Sequence, residues 1–264
     1  MDLKLHDKLA FVSGSTAGIG FATARRLLQE GAVVVINGRT QENVDKAVQQ
    51  LQSLVPGSRV SGIAADFSKA DEVVRLIEAL PDIDILVNNA GIFEPKVFGE
   101  IPDADWFRFF EVNVMSGVRL SRAFFPKMLA KNWGRIIFVS SESAVFIPTE
   151  MIHYGMTKTA QLAISRGLAE LTKGTGVTVN SILPGPTLSK GVGEFLEDLA
   201  RADNVAVEKV EKDFFTNMRP SSLLNRFASV EEIANMIAFY VSPLASATNG
   251  AAVRAEGGLV RSIL

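Results

Sequence analysis

Short apolar runs alternate with longer amphipathic stretches along most of the chain. Leu9-Ala-Phe-Val12, Ala32-Val-Val-Val-Ile36, Arg59 to Ala64, Ile83 to Val87, Arg135 to Val139, Val177 to Ile182 and Ala251 to Ala255 read as strands. Most of them are near-continuous Val, Ile and Leu, the pattern of strands covered on both faces of a parallel sheet. Helical patterns lie between them: Phe21–Glu30 closed by Gly31, Gln41–Leu54 before the Pro56-Gly57 turn, Asp71–Leu80, a long run from about Asp103 to Lys131, a run from Thr149 to Lys173 with Thr149 as cap, and Val230–Val241 after Ser229. This alternation predicts an α/β fold, a doubly wound parallel sheet of about seven strands with helices on both faces. No linker, repeat or low-complexity segment interrupts it, so residues 1–264 are expected to form a single domain. Residues 190–225 give weaker signals. Phe195, Leu196, Leu199, Phe214, Phe215 and Met218 are interspersed with charges there. Two short helices forming a substrate lid are one reading, a peripheral subdomain the other.

Composition narrows the class. Apolar residues at 47% and charged residues at 21% are ordinary for a globular chain of 264. A net charge of -2 argues against nucleic acid as the main partner. There is no Cys, hence no disulfide or thiolate metal site, and no metal is expected. The first eight residues carry charges throughout, and no apolar run reaches the length of a membrane span of about 18 residues. A cytoplasmic protein without a membrane partner is the expectation.

The candidate chemistry falls at the C-terminal ends of the predicted strands, where open α/β sheets bind ligands. Ser13-Gly14-Ser15-Thr16-Ala17-Gly18-Ile19-Gly20 joins the first strand to the first helix. Glycines there let the backbone approach a pyrophosphate, and the helix start offers free N–H groups and a positive dipole end. Taken alone, the stretch also fits a plain tight turn. Asn37-Gly38-Arg39-Thr40 follows the second strand, where an adenosine ribose would sit. With Gly38 and Arg39 in place of an acid, the turn suits a 2′-phosphate, and Asn37 and Thr40 are candidate neutral donors. Asp66-Phe67 ends the third strand, close to an adenine. Asn88-Asn89-Ala90-Gly91 ends the fourth, as small polar residues or merely as turn formers. Asn113 stands in an apolar stretch and needs partners if buried. Pro184-Gly185-Pro186-Thr187-Leu188-Ser189 follows the sixth strand.

Ser141 to Lys158 carries the sharpest signal. Tyr154 and Lys158 are four apart and share one face of a helix. An ammonium one turn away favours the phenolate, which makes Tyr154 a sensible proton donor and acceptor for a ketone or an alcohol. Ser141, just after a buried strand, is placed to hydrogen-bond the same substrate oxygen. A surface helix with a Tyr–Lys pair is the plain alternative for these two residues alone. His153 is assigned to the surface or a pocket wall.

Together these motifs resemble the short-chain dehydrogenase/reductase family over nearly the whole chain. Ser13-Gly14-x3-Gly18-Ile19-Gly20 is similar to its cofactor loop, with Ser13 where Thr is usual. Asn88-Asn89-Ala90-Gly91 matches its strand-four motif, and Asn113, Ser141, Tyr154 and Lys158 match its catalytic tetrad. Pro184, Gly185, Thr187 and Ser189 are similar to its nicotinamide-side loop, with Ser189 where Thr is common. The resemblance implies a Rossmann-type fold and hydride transfer between NADP(H) and a carbonyl or secondary alcohol, as in 3-oxoacyl-thioester reductase-like and carbonyl reductase-like members. It implies Tyr154 as general acid or base, Lys158 lowering its pKa and holding the cofactor ribose, Ser141 positioning the substrate oxygen, and Asn113 holding a water that extends the proton path. The expected cofactor contacts are Gly14, Ser15, Thr16, Gly18, Ile19, Gly20, Asn37, Gly38, Arg39, Asp66, Phe67, Asn89, Ala90, Gly91, Tyr154, Lys158, Pro184, Gly185, Thr187 and Ser189. A homotetramer or homodimer through the two long helices and the last strand is also implied. Pocket walls are expected from Phe93, Glu94, Glu142, Ser143, Phe146, Met151 and the 190–225 segment, for a neutral or weakly polar carbonyl compound. A non-catalytic dinucleotide-binding regulator is the alternative from another class, although such proteins typically lose the Tyr or the Lys.

Overall fold

A computed structural model describes residues 1–263; the side chains of Lys190 and Phe195 lie outside the described set. Seven strands form one parallel sheet: β1 (Leu9–Val12), β2 (Val33–Gly38), β3 (Arg59–Ala64), β4 (Ile85–Asn88), β5 (Gly134–Val139), β6 (Val177–Pro184) and the last strand, Ala252–Ala255. The helices between them are α1 (Gly18–Gln29), α2 (Gln41–Leu54), α3 (Ala70–Ala79), α4 (Asp103–Phe110), α5 (Ser116–Ala130) and α6 (Ile152–Glu170). After β6 come a two-residue strand β7 (Thr187–Leu188), α7 (Lys190–Asp203), α8 (Val207–Asp213), a second two-residue strand β8 (Ala228–Ser229) and α9 (Val230–Tyr240); the last sheet strand is β9.

The strand order β3-β2-β1-β4-β5-β6-β9 reverses between β1 and β4, which opens the ligand crevice of a doubly wound sheet there. In register, Ala10 pairs with Val34 on one side and with Ile85 on the other. Two apolar layers flank the sheet. Leu27, Val44, Leu51 and Ile237 cover one face from α1, α2 and α9, and Leu76, Leu120, Phe124 and Met128 cover the other from α3 and α5. The expected α/β class and seven-stranded sheet are present.

Local boundaries differ in two informative places. The run expected from Asp103 to Lys131 is broken by a π turn over Glu111–Met115 that carries Asn113. Such single turns widen a helix and re-aim one side chain. Thr149 does not cap α6. It opens a 3-10 turn over Thr149–Met151, and α6 starts at Ile152 without a side-chain cap. The 190–225 segment is better packed than its sequence indicated. Leu196, Phe215 and Phe227 form a small buried core of their own, with Phe214 stacked on Phe227 at 5.1 Å.

Candidate active site

The glycine turn after β1 is braced by neutral side chains that all bond to backbone. Ser13 Oγ accepts the N–H groups of Asn89 (2.9 Å) and Ala90 (3.0 Å). Ser15 Oγ donates to the Val12 carbonyl at 2.6 Å and accepts the Asn37 N–H at 2.9 Å. Asn37 Oδ1 accepts the Gly14 N–H at 3.2 Å, while its Nδ2 donates to the Ile63 and Ala65 carbonyls at 3.1 and 3.3 Å. Asn89 Nδ2 donates to the carbonyls of Ser13 and Gly14, both at 2.9 Å. These side chains are therefore spent on scaffold. Asn37 and Ser15, expected at the cofactor, face inward, so Asn37 has no amide donor left for a phosphate. Phe67 is likewise a core residue against Val73 and Leu76.

What the braces leave free is backbone. Gly14 adopts φ +59°, and a Cβ on it would lie 2.9 Å from the Ala90 Cα. At Gly20 a Cβ would meet Asn89 Nδ2 and the Gly14 carbonyl at 2.5 Å. Helix α1 has no side-chain cap and no acid in its first turn. Its first N–H groups are available to an anion, as a pyrophosphate requires. The residues present fit a dinucleotide.

After β2, Arg39 is exposed beside Asp66. Burial works against ionisation of the Asp66 carboxyl, but two bonds from Ser68 and the charges of Lys69 and Arg39 bring it below its ordinary value. Gly38 does not leave the open space its sequence implied. A Cβ there would lie 2.4 Å from the Thr16 Cγ2. Thr16 thus closes over Gly38 next to Arg39. Thr40 Oγ1 accepts the Asn43 N–H at 3.4 Å as the cap of α2.

The four tetrad residues come together at the ends of β4 and β5. Asn113 Oδ1 accepts the Ile92 N–H at 2.8 Å, and its Nδ2 donates to the Ile92 carbonyl and to Thr157 Oγ1, both at 3.0 Å. Gly91 connects this corner to the cradle: a Cβ there would lie 3.4 Å from Asn113 Oδ1 and 3.5 Å from Lys158 Nζ. Lys158 Nζ lies 5.5 Å from the centre of the Tyr154 ring, so the pair shares one face of α6 as its spacing predicts. The ammonium, however, donates to the Val139 carbonyl at 3.0 Å. Ser141 Oγ lies 2.6 Å from Glu142 Oε2 and accepts the Ser143 N–H at 3.1 Å.

The electrostatics correct one expectation. Lys158 does not depress the Tyr154 pKa in this structure. Burial pushes the phenol well above its usual value, the Glu142 charge pushes it further, and the nearby Ser141 hydroxyl only partly opposes them. Lys158 itself is lowered to about 8 by burial, against the pull of Glu142. Burial also raises the Glu142 carboxyl, opposed by Ser141, Arg219 and Ser143.

Three residues at this corner carried little or no sequence signal. Glu142 was expected only as a wall but is buried against Ser141. Gln161 Nε2 donates to the Asn113 carbonyl at 2.6 Å, and its Oε1 is 3.5 Å from Lys158 Nζ. Its position three residues after Lys158 on the same helix was the available clue. Arg219 arrives from the 190–225 segment, buried, and bonds Glu150 at 3.0 Å. Glu94 is exposed and pairs with Arg108 at 2.8 Å, so it is not an inward acid. Phe93 is exposed with its ring centre 6.4 Å from that of Tyr154, and Phe146 and Met218 are also exposed apolar residues. His153 is neither surface nor wall. It is buried at 4.1 Å between ring centres from Phe109, and burial lowers its pKa. In the loop after β6, Gly185 donates its N–H to the Ala255 carbonyl at 3.1 Å and Thr187 Oγ1 donates to the Gly185 carbonyl at 2.9 Å. Ser189 caps α7, and a Cβ on Gly18 would lie 3.5 Å from its Cβ, so this loop closes over the glycine turn.

Comparison with known proteins agrees with this architecture. The family model for short chain dehydrogenase matches residues 8–200. The uncharacterized oxidoreductase YvrD of Bacillus subtilis is 52% identical over 266 residues, covering all of both chains. D-beta-hydroxybutyrate dehydrogenase of Cupriavidus necator is 32% identical, covering 97% of this chain and 99% of that one. Among solved structures, L-sorbose reductase from Gluconobacter frateurii, complexed with NADPH and L-sorbose, superposes with a TM-score of 0.93 at 30% identity over the full length of both chains. With a doubly wound parallel sheet, a glycine cradle at its switch point and a matching family model, the chain belongs to the short chain dehydrogenases, a family of oxidoreductases.

Proposed function

We propose that the protein reduces a carbonyl compound, or oxidises the corresponding secondary alcohol, with NADP(H), and that Tyr154 is the general acid or base. The observation that carries this reading is the junction at Gly91. The backbone cradle runs directly into Asn113 and Lys158, with Tyr154 and Ser141 on the adjoining face. The bound cofactor would supply the hydride chemistry. Backbone at Gly14–Gly20 would hold its pyrophosphate, Arg39 and the Thr16 hydroxyl its 2′-phosphate, and the Pro184–Ser189 loop its nicotinamide side. Tyr154 and Ser141 would hydrogen-bond the substrate oxygen. A phenol of raised pKa favours its protonated form, the state needed to donate to a nascent alkoxide.

The exposed apolar walls favour a neutral or weakly polar carbonyl compound. With Glu94 on the surface, Glu142 is the acid left facing the reacting groups. The NADPH-bound sorbose reductase, and the NADPH-bound actinorhodin polyketide ketoreductase at a TM-score of 0.87 and 26% identity, support this cofactor and reaction class. The 190–225 segment acts as the substrate lid, because its Arg219 reaches the Glu142 corner. Assembly into a dimer or tetramer through α4–α6 would cover Phe107 and Leu171, which are exposed. The test is NADPH oxidation followed with aryl ketones, β-keto esters and acyl thioesters. Turnover that is at least tenfold faster with NADPH than with NADH is expected. Tight NADPH binding without turnover of any substrate would favour a non-catalytic dinucleotide sensor.

A further inference from the structure

We propose that Glu150 is a positioning residue: through one ion pair with Arg219 it couples closure of the 190–225 segment to the placement of Tyr154. The inference rests on the reading of Tyr154 as the acid and of that segment as the substrate lid, and three observations carry it.

The first is the way the segment is held. Its root is stitched by backbone bonds. β7 pairs with β8 in parallel, Thr187 opposite Ala228 and Leu188 opposite Ser229. The N–H groups of Leu223 and Leu224 both donate to the Gly257 carbonyl at 2.9 Å. Arg219 adds a charged side-chain bond that leaves the segment: its Nη2 donates to Glu150 Oε1 at 3.0 Å. At its other end Arg219 is fastened to the segment itself. Its backbone N–H donates to the Phe214 carbonyl at 3.1 Å, its Nη1 donates to the Met218 carbonyl at 2.9 Å, and its guanidinium carbon lies 5.6 Å from the centre of the Phe214 ring. Phe214 in turn stacks on Phe227 beside Leu196 and Phe215. The guanidinium is thus carried by the small core of the lid.

The second is the place of Glu150 in the chain. It lies in the 3-10 turn Thr149–Met151 that leads into α6. α6 has no side-chain cap at its start, and Tyr154 stands in its first turn. Bonds to Glu150 locate that start instead. The Glu150 carbonyl accepts the Lys96 N–H at 2.9 Å, and Lys96 Nζ pairs with Asp105 of α4 at 2.6 Å. The main chain of the turn is therefore tied towards α4, while its carboxylate is tied to the lid.

The third is the state of the guanidinium. Arg219 is 8% exposed, and its buried Nε has no hydrogen-bond partner among the described residues. Removing a charge from water is costly, and breaking a buried pair on one side leaves the other charge uncompensated. The Glu150 carboxylate is what offsets this cost in the closed position. Without it, opening the segment is the route by which Arg219 regains water. With it, closure fixes the turn four residues before Tyr154, so that the substrate is enclosed with its acid already oriented.

Hydrogen exchange followed by mass spectrometry reads the lid without turnover. In the NADPH-bound protein, Glu150→Gln should speed exchange over residues 190–218 by about tenfold or more, as expected for loss of a charge-assisted bond. The glycine turn after β1 should keep its wild-type protection, and NADPH affinity should stay within a fewfold. With the best ketone of the panel, kcat should fall by a similar factor, and Glu150→Asp, which keeps the carboxylate, should lie between Glu150→Gln and wild type. Adding Arg219→Met to Glu150→Gln leaves no buried charge unpaired. Protection over 190–218 should then recover towards wild type, and kcat should fall no further than in Glu150→Gln alone. Wild-type exchange over 190–218 in Glu150→Gln would overturn the proposal. So would kcat losses of Glu150→Gln and Arg219→Met that multiply in the double variant, because the two residues would then act independently. No turnover of any ketone by the wild type, or full turnover by Tyr154→Phe, would instead overturn the proposed function, and the exchange data would still decide the lid contact.

Discussion

The glycine cradle and the Tyr154 corner occupy the same edge of one sheet but are held by different forces. Around the cradle, Ser13, Ser15, Asn37 and Asn89 are neutral, and each bonds to backbone at 2.6–3.3 Å. None of these groups titrates near neutral pH. In the corner, Glu142, Lys158 and Arg219 are buried charges or potential charges with few partners. Desolvation penalises each ionised form, so protonation and geometry are coupled. The cradle is thereby fixed in advance of its ligand, whereas the corner responds to pH and to whatever enters it.

The largest expected effect breaks the corner alone. Tyr154→Phe removes one hydroxyl and should cut turnover by about 10²–10⁴ while NADPH affinity by fluorescence titration stays within a fewfold. An affinity loss as large as the rate loss would mean that the two regions are not separable. Next comes Lys158→Met. The native pKa of about 8 lies below the ordinary 10.5, so the unfolded chain binds this proton more tightly. Wild type therefore loses stability as pH falls from about 10.5 to 8, and bears the whole cost below that. The variant should be more stable in urea at pH 7 by up to about 3 kcal/mol, with the gain shrinking by pH 10. A gain that is the same at both values would remove burial of the ammonium as its cause.

Cofactor choice tests the cradle's outer end. Wild type should prefer NADPH over NADH by about ten- to a hundredfold in kcat/KM, from roughly 1.5–3 kcal/mol for a partly desolvated Arg39–phosphate contact. Because a Cβ at Gly38 would meet Thr16, reversal needs Thr16→Ser together with Gly38→Asp and Arg39→Ala. Equal use of both cofactors by wild type would remove Arg39 from the phosphate site. The smallest effect is Gly14→Ala, which forces a Cβ into φ +59° against Ala90. A stability loss of about 1–3 kcal/mol is expected. Since no titrating group is involved, the loss should be the same at pH 7 and pH 9 in urea unfolding, unlike the Lys158→Met gain.

The sequence by itself determined the α/β class, the order of strands and helices, and the place of each motif at a strand's C-terminal end. These depend on hydrophobic period and on glycine spacing, both local properties of the chain. It also brought Tyr154 and Lys158 onto one face of α6, because helix geometry fixes a spacing of four. It did not determine what the polar side chains do. Asn37 and Ser15 carry the residue types of a ligand site, yet their hydrogen-bonding groups are taken by backbone from other strands. Lys158 has the spacing to act on Tyr154, but the nearest strong acceptor is the Val139 carbonyl, 19 residues away in sequence. Glu142, Gln161 and Arg219 stand at positions 142, 161 and 219, and no short-range pattern links them. Only the folded chain brings them into one low-dielectric corner. There each buried polar group must find a partner, and the partners available, rather than the motif, decide its protonation and direction.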